Sequence, residues 1–246
     1  MEWHDDGIIL GLRRHGETSA IVELFTAHHG RHLGLVRGGR SRRMQPVLQP
    51  GNSVHATWRA RLDEHLGSFA LEPDILRAAE LMQSPTALYA FATLAAHLRL
   101  LPERDPHPEL HARLLAALPQ LAGTLSGPQA VVRFELALLA DLGFGLDLTE
   151  CAATGGRQDL IYVSPKTGRA VSRQAGAAYA DRLLPLPAFL RLDGEAADAD
   201  AIAAGFRLTG YFLNRHVAEP RGIPLPPERE RLVVAISRAV GPDGGA

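Results

Sequence analysis

The chain has 246 residues, 46% of them hydrophobic, and its 26 Lys or Arg and 27 Asp or Glu residues give a formal net charge of −1. That length and apolar content suffice for one large domain or two smaller ones, and a single cysteine excludes a disulfide framework and favours a reducing compartment. No apolar run is long enough for a membrane span, and the opening MEWHDDG does not resemble a secretory signal, so we expect a cytoplasmic protein without membrane contact.

The first 79 residues show apolar residues at a period near two, interrupted by glycines. Five short segments of this region are typical of strands, and no long helix separates them. This pattern favours a small closed antiparallel barrel of the OB type, with a five-stranded sandwich as the alternative. The predicted strands cover 7–12 and 19–25, followed by segments that open at Gly30, Ser53 and Gly67.

The segment RHLGLVRGGRSRR, at the third strand and the loop after it, contains five arginines and no acid. A solvated loop is the ordinary explanation for such a run, but OB-folds bind single strands through a positive groove and stacked aromatic rings. We therefore predict a nucleic-acid surface, with Gly38 and Gly39 allowing close approach of the backbone. Its arginines are Arg31, Arg37, Arg40, Arg42 and Arg43, extended by Arg13 and Arg14 at the first hairpin. Trp58 and Phe69 are candidates for base stacking, with the barrel core as the alternative for both, and Arg59 and Arg61 flank Trp58.

After Pro73 the apolar period changes to 3.6, which indicates helices. Ser84 and Pro85 form a capped helix start. We expect two domains, 1–79 and 80–246, with an irregular Gly-, Ser- and Thr-rich insert over 150–176. The expected helices begin at Pro85 and then cover 109–121, 126–142, 198–216 and 227–240.

Other chemistry is poorly supported. No Walker loop and no Gly-x-Gly-x-x-Gly segment occurs, so an enzyme is not indicated. His28, His29 and His32 have no acid nearby in the sequence and read as a solvated turn. Asp5 and Asp6 read as surface charge.

Several segments, in order and spacing, resemble the RecO family of recombination mediator proteins. GIIL, GETSAIVELFTAHHG, GLVRGGRSRR and LQPG resemble its N-terminal OB domain, and RFELALLADLGFGLDL before Cys151 resembles its central helix. The resemblance spans essentially the whole chain. It implies an α+β fold in which a five-stranded OB-fold barrel precedes a mainly α-helical domain with a degenerate zinc-finger-like insert.

The resemblance also bears on metal binding, because the family often carries a four-cysteine zinc module. The corresponding positions here are Cys151, Thr154, Ser172 and Ala175. Since only the first is able to ligate zinc, we predict that the site is lost and that the protein uses no cofactor. Hydrogen bonds and packing around Leu160, Tyr162 and Val171 should hold the insert instead, with Cys151 as a small buried residue.

The function implied is that of a mediator, not an enzyme. Such a protein binds single- and double-stranded DNA at the nucleoid, anneals complementary strands and, with RecR, assists RecA loading on DNA coated by single-strand-binding protein; RecF is a further candidate partner. The helical domain should recognise the acidic C-terminal tail of single-strand-binding protein. Candidates for that contact are Arg133, Arg207 and Arg215, with Phe134, Tyr211 and Phe212 as pocket or core residues. The alternatives are an OB-fold protein-interaction module and an RNA-associated module, neither of which anneals DNA.

Overall fold

A computed structural model of the chain describes residues 1–191 and 197–240. Contacts divide it into two compact units, Met1–Leu118 and Pro119–Ala246, here called the barrel unit and the helical unit. The strands of the barrel end at Pro73, close to the domain boundary expected at residue 79, whereas the compact unit continues to Leu118. Within the described ranges no helix is long and apolar enough to cross a membrane.

The barrel unit begins with five strands that close into a barrel, which confirms the OB-like architecture expected from the sequence. The strands are β1 (Glu2–His15), β2 (Ser19–Thr26), β3 (Gly30–Val36), β4 (Ser53–Arg59) and β5 (Ser68–Pro73). Their order is β1-β2-β3-β5-β4, and a short parallel contact between β3 and β5 closes the barrel while the other pairs are antiparallel.

Strand β1 is longer than predicted, because it begins at Glu2 and not at Gly7. Residues 2–8 pair with β4 and residues 7–15 pair with β2, with an irregularity between Ile9 and Gly11. A bulge of this kind bends a strand and lets it serve two neighbours. The first strand therefore contributes to two sides of the barrel.

The barrel core consists of aliphatic side chains and the rings of Trp58 and Phe69. Val22, Leu24 and Trp58 have no exposed surface, and Phe69 is 5% exposed. The ring of Phe69 lies against Gly34, where an added Cβ would be 2.4 Å from the Phe69 Cδ2 atom. Any larger residue at position 34 would displace the ring from the core.

Helices complete the barrel unit. The Ser84 hydroxyl accepts a hydrogen bond of 3.4 Å from the Ala87 amide, so the helix start predicted at Ser84 and Pro85 is confirmed. The Arg99 guanidinium, just after this helix, donates to the Glu23 carboxylate at 2.9 Å and ties the helical segment to β2. The helices are α1 (Ala78–Leu81), α2 (Pro85–Leu98) and α3 (Pro108–Ala117).

The helical unit contains the last three of the predicted helices and a small sheet. Two strands of the insert, β6 (Leu160–Val163) and β7 (Ala170–Ser172), form this sheet with β8 (Leu184–Pro185), which follows the insert; the order is β7-β6-β8. The helices are α4 (Ser126–Asp141), α5 (Arg173–Gly176), α6 (Ala199–Leu213), α7 (Glu219–Arg221) and α8 (Pro227–Val240). Helix α6 packs against α4 and α8.

A buried ion pair joins these three helices. Glu135 of α4 is fully buried, and its carboxylate accepts a hydrogen bond of 2.8 Å from Nε of Arg229 on α8. The hydroxyl of Thr209 on α6 donates to the same carboxylate, and Arg229 also donates to the Phe206 carbonyl at 2.7 Å. A buried charge is tolerated when it is paired and hydrogen-bonded in this way.

Candidate nucleic-acid interface

The loop after β3, residues 37–52, is here called the arginine loop. It folds into successive hydrogen-bonded turns, including bonds from Ser41 N to Gly38 O at 2.9 Å and from Leu48 N to Met44 O at 2.8 Å. Gly38 has a φ of +66°, a conformation that favours glycine. Val47 and Leu48 are buried in the barrel core and anchor the loop. The arginines of the loop are therefore presented by an ordered backbone.

All four arginines of this loop are exposed; Arg40 is bonded to backbone carbonyls, and the other three are Arg37, Arg42 and Arg43. Arg13 and Arg14 are exposed at the end of β1, next to the β1–β2 turn. Strand register pairs Arg14 with Ala20 and Ala20 with Val36, so this turn lies beside the start of the arginine loop. Within the residues described, none of these five side chains has an acid partner. Five guanidinium groups without acid partners in the described residues therefore lie at one end of the barrel, where the sequence predicts a nucleic-acid surface.

Arg40 has a different role from its neighbours, because it connects the loop to the β1–β2 turn. Its guanidinium donates to the Gly16 carbonyl at 3.2 Å and to the Glu17 carbonyl, and its backbone amide donates to the Thr18 carbonyl at 3.0 Å. Between the turn and the loop lies a cleft of about 460 Å³. Arg40 holds the two sides of this cleft at a fixed separation.

Arg31, the first arginine predicted to bind DNA, lies in different surroundings from the exposed arginines. Its side chain is only 14% exposed, and it donates to the Glu23 carboxylate at 2.9 Å and to the Leu101 carbonyl at 3.3 Å. A second contact reaches Glu103 at 3.4 Å. A guanidinium whose donors are committed to carboxylates in this way is not available to a phosphate.

Trp58 was predicted to stack on bases, and its position contradicts this. The side chain has no exposed surface, and its indole N–H donates to the Leu66 carbonyl at 3.0 Å. Its ring lies 5.8 Å from that of Trp3 and 4.9 Å from that of His32. Trp58 and Phe69 therefore belong to the barrel core, which was the alternative for both.

Arg59 is exposed at the end of β4, where an acid partner lies beside it. It forms an ion pair of 2.8 Å with Glu2, directly opposite on β1. The hydrogen bond from the Arg59 side chain and the charge of the guanidinium lower the pKa of Glu2. A phosphate at Arg59 would have to compete with this carboxylate, so Arg59 is a weaker member of the surface.

The histidine group was interpreted as a solvated turn without acid partners, which is wrong in two respects. Asp5, whose side chain is 6% exposed, accepts hydrogen bonds of 3.1 Å from both His28 and His29. Burial opposes ionisation of Asp5, but the hydrogen bonds from His28 and His29 outweigh it and lower the pKa to about 2. His32 is 2% exposed inside the barrel, where burial lowers its pKa to about 4.

The helical unit carries the residues predicted to bind a partner tail. Arg133 is half-buried and donates to the Phe189 carbonyl at 3.0 Å, while Arg207 is exposed. Arg215 donates to the Pro165 carbonyl and the Tyr211 hydroxyl, each at 2.9 Å. Tyr211 is 36% exposed. Phe134 and Phe212 are each 2% exposed, so core packing, the alternative given for them, is their role.

The insert brings together three of the four positions expected to correspond to zinc ligands. The Cys151 Sγ atom accepts a hydrogen bond of 3.3 Å from the Ser172 amide and lies 3.5 Å from its hydroxyl. Burial opposes ionisation of the thiol, but hydrogen bonds from Thr154 and Ser172 lower its pKa to about 6. Over residues 1–191 and 197–240, no group of three metal-ligating side chains is arranged to hold an ion.

Comparison with known protein families covers both units. A family model described as Recombination protein O N terminal matches residues 1–72, and one described as Recombination protein O C terminal matches residues 83–222.

Individual relatives match over almost their full length. Proteins named DNA repair protein RecO from Rhizobium etli (strain CIAT 652) and from Chelativorans sp. (strain BNC1) are each 60% identical to the chain. The first match covers 98% of this chain and 95% of the relative, and the second covers 99% and 98%. A protein of the same name from Bradyrhizobium sp. (strain ORS 278) is 60% identical over 97% of both chains.

Proposed function

The chain belongs to the RecO family of DNA repair proteins, and from this premise we propose that it is a DNA-binding recombination mediator and not an enzyme. In this proposal it binds single- and double-stranded DNA, anneals complementary strands and, with RecR, assists loading of RecA onto DNA coated by single-strand-binding protein. RecF is a further candidate partner. This work would be done in the cytoplasm, at the nucleoid.

One observation carries the proposal: five exposed arginines without acid partners in the described residues surround one end of the barrel. They are Arg13, Arg14, Arg37, Arg42 and Arg43. Their concentration at one place creates a positive surface on a chain whose formal net charge is only −1. Guanidinium groups suit this role because their planar donors match phosphate geometry.

Annealing requires that two phosphate backbones be neutralised at once while the base edges stay accessible. Contacts from the arginine loop to phosphates meet this requirement and give little sequence preference. If five arginines each neutralise one phosphate of a single strand, the logarithm of the binding constant falls against the logarithm of salt concentration with a slope of about −3.5. Binding should therefore weaken strongly as salt rises.

The decisive experiment measures annealing of complementary oligonucleotides coated with single-strand-binding protein. It compares the intact chain with a triple variant in which Arg37, Arg42 and Arg43 are alanine; Arg40 is kept because it also supports the cleft. We expect the triple variant to lose most annealing while its circular dichroism spectrum is unchanged. Arg173→Ala is the matched control, since Arg173 is exposed but paired with Asp159 in the helical unit.

Two results would contradict the proposal. If the intact chain neither binds nor anneals DNA, a protein-interaction module becomes the better explanation. If the chain prefers structured RNA over a DNA strand of the same length, an RNA-associated module does.

We also propose that the helical unit binds the acidic tail of single-strand-binding protein through Arg133, Arg207 and Arg215. A tail of this kind needs a cation for its carboxylates next to an apolar surface. We expect Arg133→Ala to weaken binding of a fluorescent tail peptide by about 5- to 20-fold while leaving binding of bare DNA intact. Arg182→Ala, which removes an exposed arginine elsewhere in the same unit, is the control. Equal peptide affinities for the two variants would remove Arg133 from the site.

The insert is proposed to work without zinc. Cys151 keeps its place through hydrogen bonds with Ser172, and Leu160 and Val171 are buried around it. A chelator should then leave the thermal unfolding temperature of the chain unchanged.

A further inference from the structure

We propose that the cleft between the β1–β2 turn and the arginine loop receives one unpaired base of a bound single strand. The inference rests on the proposed DNA binding and adds a specific site to it. The cleft volume of about 460 Å³ lies within the usual range of small-molecule sites, about 300–1,000 Å³. A stacked duplex base has both faces covered, so only a base of a single strand is able to enter.

The walls of the cleft offer an apolar surface to the face of a base. Leu12 lines it and is 43% exposed, although Arg13 and Arg14 follow it directly on β1. Ala20 and Leu48 form the buried floor below. A flat ring placed against Leu12 would cover apolar surface that now faces water.

The polar side of the cleft can accept hydrogen bonds from the edge of a base. Gln49 lines it and donates through Nε2 to the Gln45 carbonyl at 2.8 Å, and Gln45 donates through Nε2 to the Arg40 carbonyl at 3.4 Å. These bonds orient both side chains and direct their Oε1 atoms to act as acceptors. Every DNA base carries an N–H donor on its edge, so the site should admit all four.

The phosphates beside such a base have partners as well. Arg14 lines the cleft, and Arg42 and Arg43 are exposed on the arginine loop that forms one side of it. Because the bonds from Arg40 hold the turn and the loop together in the absence of DNA, little order has to be created on binding. The cleft thus has an apolar side and a polar side, with Glu17 also among its lining residues and arginines at its rim.

The test uses two fluorescent single strands of the same length, one of thymidines and one of abasic sites that keep the phosphates and lack the bases. Affinities of the full chain for both are measured at one salt concentration, together with those of Leu12→Ser and of the control Leu88→Ser. Leu88 is 45% exposed on α2 and does not line the cleft.

We expect the intact chain to bind the thymidine strand at least 5-fold more tightly than the abasic strand, as one stacked base would contribute. Leu12→Ser should weaken thymidine binding about 5-fold and leave abasic binding unchanged, while Leu88→Ser changes neither. Equal affinity of the intact chain for both strands, or an equal loss on both in Leu12→Ser, would overturn the inference and leave DNA binding standing. Failure of the intact chain to bind either strand would overturn the proposed function, and the inference with it.

Discussion

Arg31 and the arginines of the loop 37–43 belong to one basic run, yet the fold gives them opposite surroundings. Arg31 is nearly buried between Glu23 and Glu103 and fastens β3 to the segment after α2. Arg42 and Arg43 are exposed and, among the residues described, meet no carboxylate. The comparison teaches that an arginine's available charge depends on which acids the fold brings to it, and not on the density of arginines in the sequence.

The largest effect is expected for an arginine whose charge is fully paired, Arg229 in the helical unit. Arg229→Met leaves the fully buried Glu135 without its cation, and we expect the free energy of unfolding to fall by about 3–5 kcal/mol. Urea unfolding should be followed by circular dichroism, because both tryptophans, Trp3 and Trp58, lie in the barrel unit. The double variant Glu135→Leu with Arg229→Met should recover most of the loss. A single variant as stable as the double one would contradict a structural role for the pair.

His32 extends the comparison to a buried polar group. Among the described residues, neither of its ring nitrogens has a hydrogen-bond partner. Burial lowers its pKa from 6.5 to about 4, so the folded chain keeps the ring neutral while the unfolded chain binds a proton. Stability is therefore full above pH 6.5, falls as the pH drops towards about 4, and loses about 3 kcal/mol over that window.

Tryptophan fluorescence during urea unfolding at several pH values measures this loss, since the Trp58 ring lies 4.9 Å from His32. His32→Leu should flatten the dependence. It should not abolish it, because burial also lowers the pKa of His111, which adds a dependence of the same sign. Identical pH profiles for His32→Leu and the intact chain would show that His32 is not the titrating group.

The direct contrast between the two kinds of arginine is expected to be smaller. Arg31→Ala should cost about 1–3 kcal/mol of stability, since Glu23 keeps Arg99 as a partner, and should leave DNA affinity unchanged. The triple variant of Arg37, Arg42 and Arg43 should change stability by less than about 0.5 kcal/mol and make the salt slope of single-strand binding shallower by about 2. Loss of DNA affinity in folded Arg31→Ala would contradict the distinction between acid-paired and exposed arginines.

The sequence was sufficient where local signals decide the structure. Alternating apolar residues with glycine at the turns predicted the barrel, and Ser84 with Pro85 predicted the start of α2. The arginine loop was identified because its arginines lie close together in the sequence around Gly38 and Gly39, and in the structure Gly38 takes a φ of +66°.

The sequence was insufficient where a partner comes from far along the chain. Asp5 meets His28 and His29 because β1 begins at Glu2, and the polar residues on both sides of Trp3 hide this start in the sequence. The direction of Trp58 depends on the strand register. The cleft was also missed, since Leu12 and Gln49 meet only when the turn and the loop fold together.

The hydrogen bonds from Arg40 to the β1–β2 turn affect which substitutions the turn tolerates. Its acceptors at Gly16 and Glu17 are main-chain carbonyls, which every amino acid supplies. The side chain at position 17 is therefore able to change without breaking these hydrogen bonds. Gly16, with a φ of +58°, is restricted by its backbone conformation. Substitutions at position 17 of the turn should therefore leave the shape of the cleft unchanged.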